Sequence, residues 1–144
     1  MTYEYPWIYN GQPFESEDIG DYYGFIYRIT NNISGHDYIG RKYFTTIKKR
    51  PPLKGKKNKR REIVETDWKT YWGSSQRLQQ DVDTLGKENF TREIIHLCKT
   101  RGETNYLEAY YQFTEHVLLR EDNYNGIIQL KLGKNSVKDV KVIK

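Results

Sequence analysis

Along residues 23–30, YGFIYRIT, aromatic and β-branched side chains crowd together, which is the composition of a strand on a buried sheet. Asn31-Asn32-Ile33-Ser34-Gly35 follows as a turn, because Asn and Gly tolerate the positive φ that tight turns require. Residues 36–40, HDYIG, then read as a second strand, antiparallel to the first. Further on, QRLQQDVDTL (76–85) spaces Leu78, Val82 and Leu85 along one helical face. Ser74 or Ser75 suits its N-cap, and Gly86 suits its C-terminal stop. A short helix is expected over Glu62–Trp72 and a third strand over the Ile-rich Asn89–Cys98. A second long helix is expected over 103–119, with Leu107, Tyr110 or Tyr111, Thr114 and Leu118 on one side. Asn123–Leu132 reads as a turn with a short strand. The order β-β-α-α-β-α predicts an α/β domain, a small three-stranded antiparallel sheet flanked by helices. Pro6, Gly11, Pro13 and Gly20 punctuate residues 1–22, which are expected to form an irregular arm.

Charge sharpens this outline. The chain of 144 residues has a net charge of +5, unevenly spread. The arm, 1–22, holds five acids and no Lys or Arg; residues 41–61 hold eleven Lys and Arg and no acid. The tail, 129–144, is basic again, with five Lys and one Asp. Within 41–61, Lys48, Lys49, Arg50, Lys54, Lys56, Lys57, Lys59, Arg60 and Arg61 read as phosphate contacts, with a solvated flexible loop as the plainer reading. A single Cys excludes a disulfide within the chain and a Cys-based zinc cluster. There is no apolar run long enough to cross a bilayer, and MTYEYPWIYNG lacks the form of a signal peptide. These features predict a cytoplasmic protein that does not engage membranes.

Common catalytic patterns fail: there is no G-x-S-x-G, Walker A, HExxH or CxxC, and His36, His96 and His116 are scattered. What remains is a hairpin with a Tyr on each strand, a basic segment behind it, and a later helix carrying Glu108. The string GFIYRITNNISGHDYIG, with Phe25-Ile26-Tyr27 and Tyr38-Ile39-Gly40, resembles the hairpin of the GIY-YIG nuclease superfamily. Tyr71-x-Gly73-Ser74-Ser75, Leu78, Gly86-x-x-Asn89-Phe90-x-Arg92-Glu93-Ile94, Glu108 and Tyr124-Asn125 continue that resemblance, which is closest to phage-type members and covers about residues 23–128. One departure is Phe25 at the first Gly of the name, with Gly24 one place earlier.

The resemblance implies a metal-dependent DNA endonuclease with a GIY-YIG fold, homing-endonuclease-like, in a bacterial or phage-infected cell. Glu108 would hold Mg²⁺ or Mn²⁺ through one carboxylate. Tyr27 would be the base and Tyr38 would orient water or phosphate, with nearby cations or the metal lowering the phenol pKa. The family's catalytic Arg is not placed by the match, and Arg41, Arg50, Arg60 and Arg61 compete for it. By strand alternation Lys42 shares the face of Tyr38 and is preferred over Arg41; Lys69 is a second cation candidate, and Asn125 would orient a side chain or bind phosphate. With about sixteen residues beyond the matched region, recognition would fall to the basic segment and tail, or to a homodimer or partner protein. An inactive nucleic-acid-binding module on the same fold is the alternative.

Overall fold

The computed structural model describes residues 3–140, so the first two residues of the acidic arm and the last four of the basic tail lie outside the described residues. In chain order the elements are β1 (Ile8–Tyr9), β2 (Gln12–Pro13), β3 (Gly24–Asn31), β4 (Asp37–Tyr43), β5 (Thr45–Arg50), β6 (Arg60–Glu65), α1 (Gln76–Leu85), β7 (Phe90–Cys98) and α2 (Arg101–Thr114). The main sheet is mixed and five-stranded, in the order β2-β1-β7-β3-β4, rather than three-stranded and antiparallel; β5 and β6 form a separate two-stranded sheet. The β3–β4 and β3–β7 pairs are antiparallel, and the two extra strands come from the N-terminal arm, where β1 pairs in parallel with β7 at Ile8 and Glu93.

Local chemistry explains where the elements turn and stop. The Asn31 carboxamide oxygen accepts from the backbone N–H groups of Ile33 (2.9 Å) and Ser34 (3.2 Å), and Gly35 takes φ +81, so the β3–β4 turn closes as its residues require. Ser75 caps α1 by accepting from the Leu78 N–H at 3.3 Å, which leaves Ser74 uncommitted to the helix. Three expectations give way. The expected helix over Glu62–Trp72 is instead the end of β6 followed by a 3-10 turn at Trp68–Thr70, because Arg60–Glu65 pairs with β5. The second helix ends at Thr114, and His116 at φ 54 turns the chain away. Beyond it, Asn123 makes one isolated bridge to Asp37 in place of a strand.

Each face of the sheet is covered. Phe25, Tyr27 and Ile29 of β3 pack with Trp7, Phe14, Phe44, Trp68, Leu78 and Val82; Ile26 on the opposite face packs with Ile39, Leu107 and Val117. α1 therefore covers one face and α2 the other. The arm belongs to the first layer. Trp7 is fully buried and donates its indole N–H to the Trp68 carbonyl at 2.7 Å. Arg92 of β7 is buried between the rings of Trp7 and Trp72 (4.6 and 4.4 Å to the centroids) and donates to the carbonyls of Tyr71 (2.7 Å) and Tyr5 (2.5 Å). Burial pulls the Arg92 guanidinium down to about 10, so it keeps its charge at neutral pH on cation–π and carbonyl contacts.

A buried indole of this kind supplies a large share of the core. Trp7→Ala is expected to cost about 3–5 kcal/mol of unfolding free energy, read as a lower urea midpoint at unchanged slope. A loss below about 1 kcal/mol would place the arm outside the cooperative core.

Candidate active site

β4 is the edge strand of the main sheet, and this position gathers the site. On the α1 face, Tyr27 of β3 is buried with its hydroxyl tucked against β4. A Cβ on Gly40 would lie 2.5 Å from that hydroxyl, and one on Gly73, at φ +84, would lie 3.5 Å from it. Two glycines thus leave the space the Tyr27 phenol fills. Tyr38 packs beside it at 6.1 Å between ring centroids and shares a 2.9 Å hydrogen bond with the Ser74 hydroxyl. Tyr71 meets Tyr27 edge-on at 6.0 Å, and the Lys42 ammonium sits 4.1 Å from the Tyr71 ring centroid and 2.6 Å from Asp67.

On the α2 face, Arg41 reaches Glu108 at 2.5 Å, and the Tyr43 hydroxyl donates to Asn105 at 2.7 Å. Strand alternation sorts Arg41 and Lys42 onto opposite faces, yet both line one cleft of about 440 Å³ together with Tyr27, Tyr38, Tyr71, Ser74, Glu108 and Gln112. An interior strand would keep the two sets apart; at an edge the two faces open onto the same solvent.

Burial dominates the electrostatics. It holds the Tyr27 phenol well above its ordinary value, and Tyr71, Tyr38 and Glu108 push the same way. Tyr38 is also raised, by burial first, with the Ser74 hydrogen bond and Arg41 opposing. The expected lowering by neighbouring cationic side chains is not found: desolvation outweighs Arg41 at Tyr38 and meets no cationic offset at Tyr27. The Glu108 carboxyl is raised by burial, only partly offset by Arg41, while Arg41 is raised because Glu108 and Tyr43 outweigh its own desolvation. Asp67 is lowered, chiefly by its hydrogen bond to Lys42.

The other sequence candidates lie elsewhere. Lys69 does not line the cleft; its ammonium sits over the rings of Tyr3 and Trp68, at 5.5 and 5.6 Å, because the 3-10 turn carries it toward the arm. Asn125 is buried and bonds the backbone of Ile39 on both sides, accepting from its N–H at 3.0 Å and donating to its carbonyl at 2.8 Å. Lys48, Lys49, Arg50, Lys54, Lys56, Lys57, Lys59, Arg60 and Arg61 lie on β5, β6 and their connection. Of the four arginines that compete in the sequence, Arg41 alone lines the cleft. Tyr71, Ser74 and Gln112 escape the sequence reading as site residues. The first two sit in the Tyr71-x-Gly73-Ser74-Ser75 string, which presents itself as a helix lead-in.

Glu108 is the one carboxylate among the described lining residues, and no group of three or more His, Cys, Asp or Glu gathers among the described residues. One carboxylate beside hydroxyl and amide oxygens in an open cleft suits a hard divalent ion that keeps most of its waters, and does not suit zinc.

The sheet, the two-stranded excursion and both helices all fall inside residues 7–128, the stretch that a family model matches. The family described as "Putative endonuclease segE, GIY-YIG domain" matches residues 7–128, starting at the buried Trp7. Comparison with curated proteins and with solved structures returns no match. A match over most of the chain, joined to the paired tyrosines and Glu108 around one cleft, places this protein in the segE-type GIY-YIG endonuclease-domain family.

Proposed function

We propose that the protein is a divalent-metal-dependent DNA endonuclease that hydrolyses phosphodiester bonds in the cleft at the edge of the sheet. The observation that carries this reading is the convergence of Tyr27, Tyr38, Arg41, Lys42 and Glu108 on that cleft. Phosphodiester hydrolysis needs an oriented and activated water, neutralisation of phosphate charge, and help for the leaving oxygen. Arg41 and Lys42 supply positive charge from the two sides of one strand, and Arg41 takes the role the resemblance leaves open. Glu108 would hold Mg²⁺ or Mn²⁺, which when bound would polarise the phosphoryl group and make a bound water more acidic. Burial keeps the proton on Tyr27, which leaves its hydroxyl able to donate to and orient a reacting oxygen rather than serve as a ready base. Tyr38, tied to Ser74 and more exposed than Tyr27, faces the incoming phosphate. Asn125 serves by fixing the backbone of the strand that bears Tyr38 and Arg41.

Supercoiled plasmid incubated with the protein and Mg²⁺ or Mn²⁺ is expected to be nicked or linearised. Glu108→Gln is expected to slow this at least about 100-fold and to leave salt-dependent DNA binding in place. Salt-dependent binding without cleavage by the wild type in either metal would favour the inactive binding module.

Glu108 also gives a stability signature. Its folded pKa is raised, so the folded state holds that proton more tightly than the unfolded chain. The contribution of the carboxyl to stability is thus present at low pH and is lost as pH rises through the raised value. Glu108→Gln is expected to raise Tm at neutral pH by a few degrees, with the gain shrinking as pH falls and the wild-type carboxyl takes up its proton. A gain that is constant with pH, or a loss at neutral pH, would contradict this account.

A further inference from the structure

The β5–β6 ribbon carries more structure than a charged loop needs. Residues 45–65 hold nine cations and two acids. Both acids are engaged: Glu62 pairs with Arg50, and Glu65 accepts from the Ser16 hydroxyl and the Trp68 indole at the root of the ribbon. The root is fixed. Phe44 is buried, Thr66 N–H donates to the Phe44 carbonyl at 2.9 Å, and the Thr66 hydroxyl donates to the Tyr43 carbonyl at 2.6 Å. Thr45, Thr46 and Thr66 line the active-site cleft, so the ribbon grows out of the cleft wall.

The register distinguishes its two faces. Lys48↔Glu62 and Arg50↔Arg60 share one face, where Glu62 offsets part of the charge. Ile47↔Ile63 and Lys49↔Arg61 share the other. There the isoleucines are 57% and 74% exposed, an apolar pair placed directly before two cations. Water is a poor partner for such a pair, and a second copy of so cationic a ribbon would be repelled. A duplex supplies both complements: phosphates for the cations and thymine methyl groups for the isoleucines. A two-stranded ribbon also has the width the major groove admits.

We infer that the β5–β6 ribbon enters the DNA major groove with its Ile47–Lys49–Arg61–Ile63 face toward the bases and reads thymine-containing sequence at a fixed distance from the cut. The DNA substrate is taken from the proposed function; the mode and place of reading are additional. Six paired residues extend roughly 20 Å, about six base pairs at 3.4 Å each, so the read bases lie within that span on one side of the cleft.

The test selects bound duplexes from a randomised library with the full chain in the absence of divalent metal, and then measures cleavage of the selected duplex with Mg²⁺. Wild type is expected to enrich T-containing sequence within about six base pairs on one side of the cut. Deoxyuridine in place of thymidine there, which removes only the methyl group, is expected to weaken binding about fivefold or more. Ile47→Ser/Ile63→Ser is expected to bind without distinguishing the two duplexes, and Lys49→Ala/Arg61→Ala to bind more weakly with a shallower salt dependence. Circular dichroism of both variants checks that the exposed substitutions leave the fold in place. Unchanged sequence preference in both variants, or enrichment without regard to thymine, overturns the ribbon reading even if cleavage persists. Ribbon-dependent selection without cleavage overturns the nuclease reading and the fixed distance to a cut, and keeps the ribbon as the thymine reader; no duplex binding at all overturns both.

Discussion

The site depends on an edge strand that is held without being extended. At Ile39 the outward backbone N–H and carbonyl of β4 are taken by the Asn125 carboxamide, and the same carbonyl accepts from Gln112 of α2 at 3.0 Å. A further strand here would satisfy the same groups but would cover the cleft. Two side-chain amides satisfy them while leaving Tyr38, Arg41 and Lys42 in reach of solvent on either side of the pin. They also remove the unpaired backbone that would invite another chain to add a strand at this point.

Around that pin the protein places charge at some cost. Glu108 is a largely buried carboxylate with one cationic partner, and Tyr27 is a buried phenol surrounded by groups that oppose its ionisation. Both are more stable protonated than the free side chains. A cleft in this state has an excess affinity for positive charge near its carboxylate and for neutral hydrogen-bond acceptors near its phenol. On the proposed reading, that is the condition in which an incoming cation and phosphate would change the local energetics most.

Much of this was readable in the chain. The hairpin through Tyr27 and Tyr38, the helix after Ser75, the strand to Cys98 and the helix bearing Glu108 are local patterns, and local patterns survive folding. What escaped depends on distant partners. β1 is two residues long and exists because β7 receives it, so the punctuated arm gave no strand signal although Trp7 fills the core. The ribbon has exposed cations on both faces, which hides the alternation that marks a half-buried strand. Parity favoured Lys42 over Arg41 because alternation assumes two separated faces, an assumption that fails at an edge. Asn125 bonds the Ile39 backbone, and a buried amide in the place of a neighbouring strand cannot be told from a ligand by residue type alone.

The ribbon leaves and re-enters the core at neighbouring points, Phe44 and Thr66, joined by a backbone hydrogen bond. Its ends therefore meet whatever lies between them, and changing the length between such ends costs little closure entropy. An excursion built this way is a replaceable cassette. It can lengthen, shorten or change its outward side chains while the aromatic core and the edge-strand cleft stay as they are. With the ribbon reading DNA as inferred above, selection could alter where such a protein acts without reworking how it acts, and the two properties would be separately evolvable within one small domain.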